Sequence, residues 1–154
     1  MPDNFPPIAK TPSHEKAASI LAEADERLQT IARDISAGKM VRPGFAPVST
    51  LFKLVTYGKF VKNVHEYDRE FSVSDACTGC GICETVCPVQ NITIEDGHPS
   101  WGDHCELCCA CLHFCPAEAI DLNVMRGGTK DRGRYRHPDL SVTDMKVQQG
   151  VREE

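Results

Sequence analysis

Between Phe71 and Leu122 the sequence contains no lysine and no arginine, although eight Asp and Glu residues lie there. The overall charge of −5 conceals this bias, because basic residues are confined to the two flanks. A stretch without cations repels a phosphate backbone, so no nucleic acid is expected as a partner. Basic protein surfaces are favoured instead, with an attraction that salt weakens. Also missing is any apolar run near the roughly 18 to 20 residues that cross a bilayer, so no membrane span is expected. The start, Met1-Pro2-Asp3-Asn4-Phe5-Pro6-Pro7, lacks the basic residues, apolar stretch and small-residue cleavage site of a secretory leader. These absences predict a soluble, cytoplasmic protein in a reducing compartment. Nine cysteines cannot close into a complete disulfide set, and in such a compartment dense thiols read as metal ligands.

All nine thiols fall in the acidic middle, and most of them repeat. Cys77-Thr-Gly-Cys80-Gly-Ile-Cys83-Glu-Thr-Val-Cys87-Pro88 returns 28 positions later as Cys105-Glu-Leu-Cys108-Cys-Ala-Cys111-Leu-His-Phe-Cys115-Pro116. Each half reads C-x2-C-x2-C-x3-C-P, the bacterial two-cluster spacing in which the fourth cysteine ligates the other cluster. Three evenly spaced cysteines can wrap three corners of a cubane, whereas the next one leaves on a turn that points elsewhere. The spacing therefore predicts Cys77, Cys80, Cys83 and Cys115 on one [4Fe–4S] cluster and Cys105, Cys108, Cys111 and Cys87 on a second. Zinc is the competing occupant, since it also takes sites of four thiolates, but a lone CxxC is far less specific than this repeated pattern. With every corner held by a thiolate, such clusters have no open position for a substrate. Their chemistry is single-electron transfer, and the surrounding carboxylates predict low potentials.

Other residues in the module have simpler expected roles. Gly79 and Gly81 leave room for backbone N–H groups near sulfur, and Pro88 and Pro116 stop the chain from continuing helically. Val86, Ile92, Ile94, Phe114, Ile120 and Leu122 are expected to form a dry shell. Cys109 lies off the ligand spacing and reads as a small buried hydrophobe. His104 and His113 read as surface or packing residues, and Trp101 as packing over one half of the module.

The fold class predicted is α+β: a pseudo-twofold two-cluster module of short β-hairpins and short helices, preceded by a long amphipathic helix. That helix is read from Thr11-Pro12, as cap and first turn, to Gly38, along the stripe Ala17, Ile20, Leu21, Ala24, Leu28, Ile31, Ala32 and Ile35. Residues 39–70 read as a linker, Arg42-Pro43-Gly44-Phe45-Ala46-Pro47, followed by a basic amphipathic helix in which Lys53, Lys59 and Lys62 interleave with apolar residues. The cluster domain spans 71–124. Within it Asp96-Gly97 marks a hairpin turn, and Phe71–Val73 with Asp121–Val124 are candidates for a second strand pair. Residues 125–154 read as an extended, polar tail, basic around Lys130, Arg132, Arg134 and Arg136.

The chain also resembles proteins that fuse an N-terminal flavodoxin-like domain to a C-terminal two-cluster ferredoxin. The resemblance rests on the cysteine runs, Asn91-Ile92, Gly97-His98-Pro99-Ser100-Trp101-Gly102-Asp103 and the tail Arg134-Tyr135-Arg136-His137-Pro138, over about residues 70–140. It implies that residues 1–38 are a remnant of the flavodoxin-like domain, comprising a loop and its last helix, and that this chain is the C-terminal piece of the fusion. The strands and phosphate loop that would hold FMN are not in the chain, so FMN is not expected on this chain alone. The implied function is an electron carrier or electron-transfer module rather than an enzyme by itself. Its redox partner would be a flavodoxin-like domain or another flavoprotein. The alternative is the electron-transfer subunit of a flavin-dependent oxidoreductase whose flavodoxin half is on another chain.

Overall fold

Ser13 opens the first helix, α1 (His14–Ser36), by accepting a hydrogen bond from the backbone N–H of Lys16 at 3.3 Å. The cap expected at Thr11-Pro12 therefore lies two residues too early. The backbone N–H and the hydroxyl of Thr11 both donate to the carbonyl of Arg132, at 2.9 and 3.2 Å, which leaves Ser13 to satisfy the helix. At the other end Gly38 is left-handed (φ 64°) as expected. Its N–H reaches Ile35 O, and the N–H of Lys39 reaches Asp34 O, the paired closure that ends many helices.

The structure is a computed structural model that describes residues 5–40, 47–124 and 128–149. It divides into two compact units, one of Pro12–Lys59 and one of Asn4–Thr11 with Phe60–Glu154. In the first unit α1 buries Ala17, half-buries Ile20, Leu21 and Ala24, and exposes Leu28, Ile31 and Ile35. Most of the proposed linker, residues 41–46, lies outside the described residues. The second helix, α2 (Pro47–Asn63), starts at Pro47 and exposes Leu51, Leu54 and Val55 along with its lysines.

The second unit contains the cysteines. After a 3-10 segment (Val64–Glu70), β1 (Phe71–Val73) pairs antiparallel with β4 (Ile120–Leu122), and β2 (Ile92–Glu95) pairs antiparallel with β3 (His98–Trp101). The strand expected at 121–124 thus begins one residue earlier and stops at Leu122. Asp96 (φ 49°) and Gly97 (φ 79°) make the two-residue left-handed turn that matches strand twist. Two short helices, α3 (Ile82–Thr85) and α4 (Ala110–Phe114), follow the cysteine loops. Helices and small antiparallel sheets in one chain make the fold α+β. Among the described residues no helix is long and apolar enough to cross a membrane.

The 28-residue period extends into the backbone. Left-handed residues occur in pairs at Gly79 and Leu107, Gly81 and Cys109, and Gln90 and Glu118. Hydrogen bonds recur at the same offset: Thr85 N to Gly81 O matches His113 N to Cys109 O, and Gln90 N to Cys87 O matches Glu118 N to Cys115 O. The main core gathers Leu112, Ile120, Leu122, Ile92 and Val64 around Cys83, Cys87, Cys109 and Cys111, with Phe5, Tyr67 and Phe71 against it. Residues 5–11 therefore pack with the cysteine module, so the division expected at residue 38 does not hold for them.

The C-terminal segment is not simply extended. It forms a helix, α5 (Val142–Lys146), whose Met145 builds a second small core with Val86, Ala110 and Phe114. The Gln149 amide donates to the carbonyls of Thr85 and Cys87 at 2.8 and 2.9 Å. Upstream, fully buried Thr129 donates its hydroxyl to Asp121 Oδ1 and accepts from Leu122 N at 3.1 Å. Arg134 donates to Thr129 O and Ile120 O. Partial burial alone would raise the Asp121 pKa. Its hydrogen bonds from Thr129 and Leu122, with the nearby Arg134 charge, bring it below the usual carboxylate value. A depressed folded pKa contributes stability in full above the unfolded value of about 3.9, and that contribution is lost as pH falls through the folded value. Thr129→Val is expected to cost about 1–2 kcal/mol at neutral pH. In urea unfolding the gap between wild type and variant should narrow as the pH drops below 4; a gap independent of pH would rule out this role for Asp121.

Candidate metal centres

The loop from Cys77 to Cys83 and the Cys115-Pro116 corner form one cavity, lined by Cys77, Cys80, Cys83 and Cys115. A second is lined by Cys87, Cys105, Cys108 and Cys111, and also by Cys109. Each cavity thus takes three cysteines from one repeat and the last cysteine of the other. All nine cysteines are free. Cys80 and Cys108, equivalent in the repeat, are the two exposed ones.

Local backbone geometry explains how the thiols reach these positions. Cys115 ends α4 in an extended conformation (ψ 114°), as a residue before proline prefers, and so turns away from its own loop. Backbone N–H groups then hold the sulfurs: Asn91 N to Cys87 Sγ at 3.2 Å and Ala119 N to Cys115 Sγ at 3.3 Å, again 28 residues apart, and Leu107 N to Cys105 Sγ at 3.3 Å. Of these donors, Leu107 holds in the second loop the position that Gly79 holds in the first. Gly79 has a different reason to lack a side chain, because a Cβ there would lie 2.7 Å from Gly97 O in the β2–β3 turn. Gly81 has open space instead, and in the second loop Leu107 and Cys109 hold the corresponding left-handed conformations with side chains.

Burial raises the thiol pKa of Cys83 and Cys105 to about 11 and that of Cys111 well above its ordinary value. At neutral pH these groups are protonated, so binding a metal there releases protons and offsets the cost of burying thiolates. Cys109, 2% exposed and raised by burial to about 12, is an inert thiol directed at Leu107 O. Four thiols at the repeated spacing in each cavity, with Cys109 as a fifth in the second, and largely apolar walls fit iron–sulfur ligation. Among the described residues no group of three or more His, Cys, Asp or Glu side chains is gathered tightly enough for a single ion.

The dry shell differs from expectation. Ile94 and Ile120 line the first cavity and Ile92 the second, but Val86 and Phe114 turn outward to pack on Met145, and Leu122 lines neither. Trp101 lines the second cavity and stacks on Phe71 with ring centroids 4.8 Å apart. His104 bonds to Val89 O and Asp103, and His113 accepts from Tyr135 N; neither residue lines either of these two cavities. Two neighbours of the second cavity were not singled out from the sequence: His65, whose Nδ1 lies 3.2 Å from Cys105 O, and Asp68, buried at 5% exposure and felt electrostatically at Cys105; Asn91, named above only as part of the resemblance, lines the wall. Periodicity carries no sign of the first two, because they sit in a 3-10 segment outside the repeat.

Residues 73–93 match the 4Fe–4S binding domain family. The chain is also similar to an iron–sulfur subunit of the CoB–CoM heterodisulfide reductase of Methanopyrus kandleri, at 39% identity over 69 residues that cover 38% of this chain and 10% of that protein. It thus spans about a tenth of the length of that relative. No solved structure matches the chain. These likenesses support 4Fe–4S binding and iron–sulfur electron transfer.

The two loop glycines are separable by mutation. Gly79→Ala places a methyl group against an immovable carbonyl and is expected to cost about 1–3 kcal/mol and to lower the iron content of reconstituted protein. Gly81→Ala, in open space, should cost about 1–2 kcal/mol and retain its iron. Equal iron loss in both variants would show that backbone conformation, not the Gly97 contact, governs the first loop.

Proposed function

We propose that the chain carries single electrons on two low-potential [4Fe–4S] clusters held in a pseudo-twofold, ferredoxin-like module over residues 71–124. Cys77, Cys80, Cys83 and Cys115 would hold one cluster and Cys105, Cys108, Cys111 and Cys87 the other. The observation that carries this reading is the composition of the two cavities, each lined by three spaced cysteines of one repeat and the last cysteine of the other. When bound, such a cluster accepts or releases one electron without opening a coordination position. The protein's own part is to anchor the thiolates with backbone N–H groups at Cys87, Cys105 and Cys115, and to exclude water with Ile94 and Ile120 on one side and Ile92, Phe71 and Trp101 on the other. Exposed Cys80 and Cys108 are the edges through which electrons would enter and leave. Acidic surface around them suits a redox partner with a basic face.

The flavin-linked version of this reading has a cytoplasmic carrier exchanging electrons with a flavodoxin-like partner that supplies FMN, α1 being what remains of such a domain in this chain. A second reading, an electron-transfer subunit of a flavin-dependent oxidoreductase, is favoured by the relative, which is itself named as a reductase subunit. Substrate turnover when a flavodoxin-like protein is added would select it.

Anaerobically reconstituted protein should contain about eight iron and eight acid-labile sulfide ions per chain and give an EPR signal after dithionite reduction. About two zinc ions and no sulfide would overturn the proposal. Crossed ligation has its own test. Cys115→Ser should damage the centre built by the Cys77–Cys83 loop and leave the other, so that iron falls by about half.

A further inference from the structure

We propose that Asn91 and Trp101 donate hydrogen bonds to sulfur of the second centre and raise its reduction potential, an adjustment that the first centre lacks. The inference rests on the two-cluster reading above. Both residues line the cavity of Cys87, Cys105, Cys108 and Cys111. Asn91 is 4% exposed, yet its Nδ2 has no partner within the protein, and neither has the buried Trp101 Nε1. Buried N–H donors are seldom left orphaned.

The orientation of the amide is settled by its other end. The backbone N–H of His104 points at Asn91 Oδ1 from 3.1 Å, and only oxygen can accept it, so the NH2 is the free end. Gly102 packs closely on that oxygen, where a Cβ would approach to 2.6 Å, and the amide has little room to turn. The indole is held by its stack on Phe71, interplanar angle 7°, and by β3, where Trp101 pairs with Ile92. Two residues that line the cavity therefore each hold a buried, unpartnered donor with little freedom to turn, and sulfur of a bound cluster is the acceptor proposed for both.

The first cavity offers nothing comparable. Ala119 occupies the place that Asn91 holds in the other repeat. Apart from its cysteines, the wall consists of glycine, isoleucine, proline and alanine with exposed Thr78. A donor to sulfur stabilises the extra negative charge of the reduced state, so it moves a potential upward. Glu106, which lines the second cavity, and Asp68, whose charge is felt at Cys105, act in the opposite sense. The contribution of the donors is thus read by removing them, not by comparing the two centres.

Trp101→Phe deletes the N–H and keeps the ring on Phe71; Asn91→Ala removes the amide. In EPR-monitored redox titrations of fully loaded protein, one midpoint potential should move to more negative values in each variant while the other stays. Two unmoved potentials, or both moved equally, would overturn the proposal while leaving the cluster reading intact. If neither variant takes up clusters, wild type answers instead. The chain has one tryptophan, so isotope labelling of its indole nitrogen should produce a hyperfine coupling to the reduced cluster spin. Absence of that coupling counts against the proposal. A wild-type protein that binds no clusters removes the two-cluster reading itself.

Discussion

Cys87 and Cys115 each leave the loop they follow and line the cavity of the other repeat, and the rest of the module is arranged around that exchange. Of the ten buried residues in the main core four are cysteines, so the hydrocarbon left to hold this unit together is small. Domains of this size commonly need a staple beyond their apolar core. On the proposed ligation, thiols shared between repeats would supply one, because a ligand set completed across the repeats fastens both loops at once. Burial also opposes thiolate formation at Cys83, Cys105 and Cys111. A metal bound there would relieve that opposition, and loading would then be coupled to folding.

The C-terminal segment completes what the cysteine module lacks. The module has no cation of its own, and Arg134 is brought to the carbonyl of Ile120, while Arg136 lies 5.6 Å from the Phe114 ring centroid. Met145 closes the second small core, and Gln149 caps carbonyls beyond α3. The acidity read from residues 71–122 alone therefore overstates the isolation of that charge. Arginines at the edge of the module would offset part of the depression of potential that the carboxylates are proposed to produce.

A duplicated sequence has not produced two identical environments. The backbone repeats closely, down to left-handed residues and N–H to sulfur bonds at a 28-residue offset. Side chains diverge at the same places: Gly79 against Leu107, Gly81 against Cys109, and Asn91 against Ala119. One cavity is walled mainly by glycine, proline and aliphatic groups, the other by a stacked aromatic pair, an amide and a carboxylate. Cys109 becomes intelligible here, as a buried filler on a left-handed backbone where the first loop uses glycine.

The cysteine spacing, the Asp96-Gly97 turn and the long helix with its Gly38 end were legible in the sequence, because each depends on residues a few positions apart, and the 28-residue repeat was legible because it duplicates such a local pattern. The pairing of β1 with β4 was legible to within one residue, since alternation marks a strand but not its last hydrogen bond. What only the tertiary structure decided are contacts between segments far apart along the chain. Thr11 gives up the helix cap to bond Arg132, residues 5–11 join the cysteine module, Val86 and Phe114 turn toward Met145, and Asp68 and His65 come to lie by Cys105. Local chemistry sets which conformations a segment favours. Which partner finally satisfies a buried donor or covers an apolar face depends on what the rest of the chain brings alongside it, and no spacing rule records that.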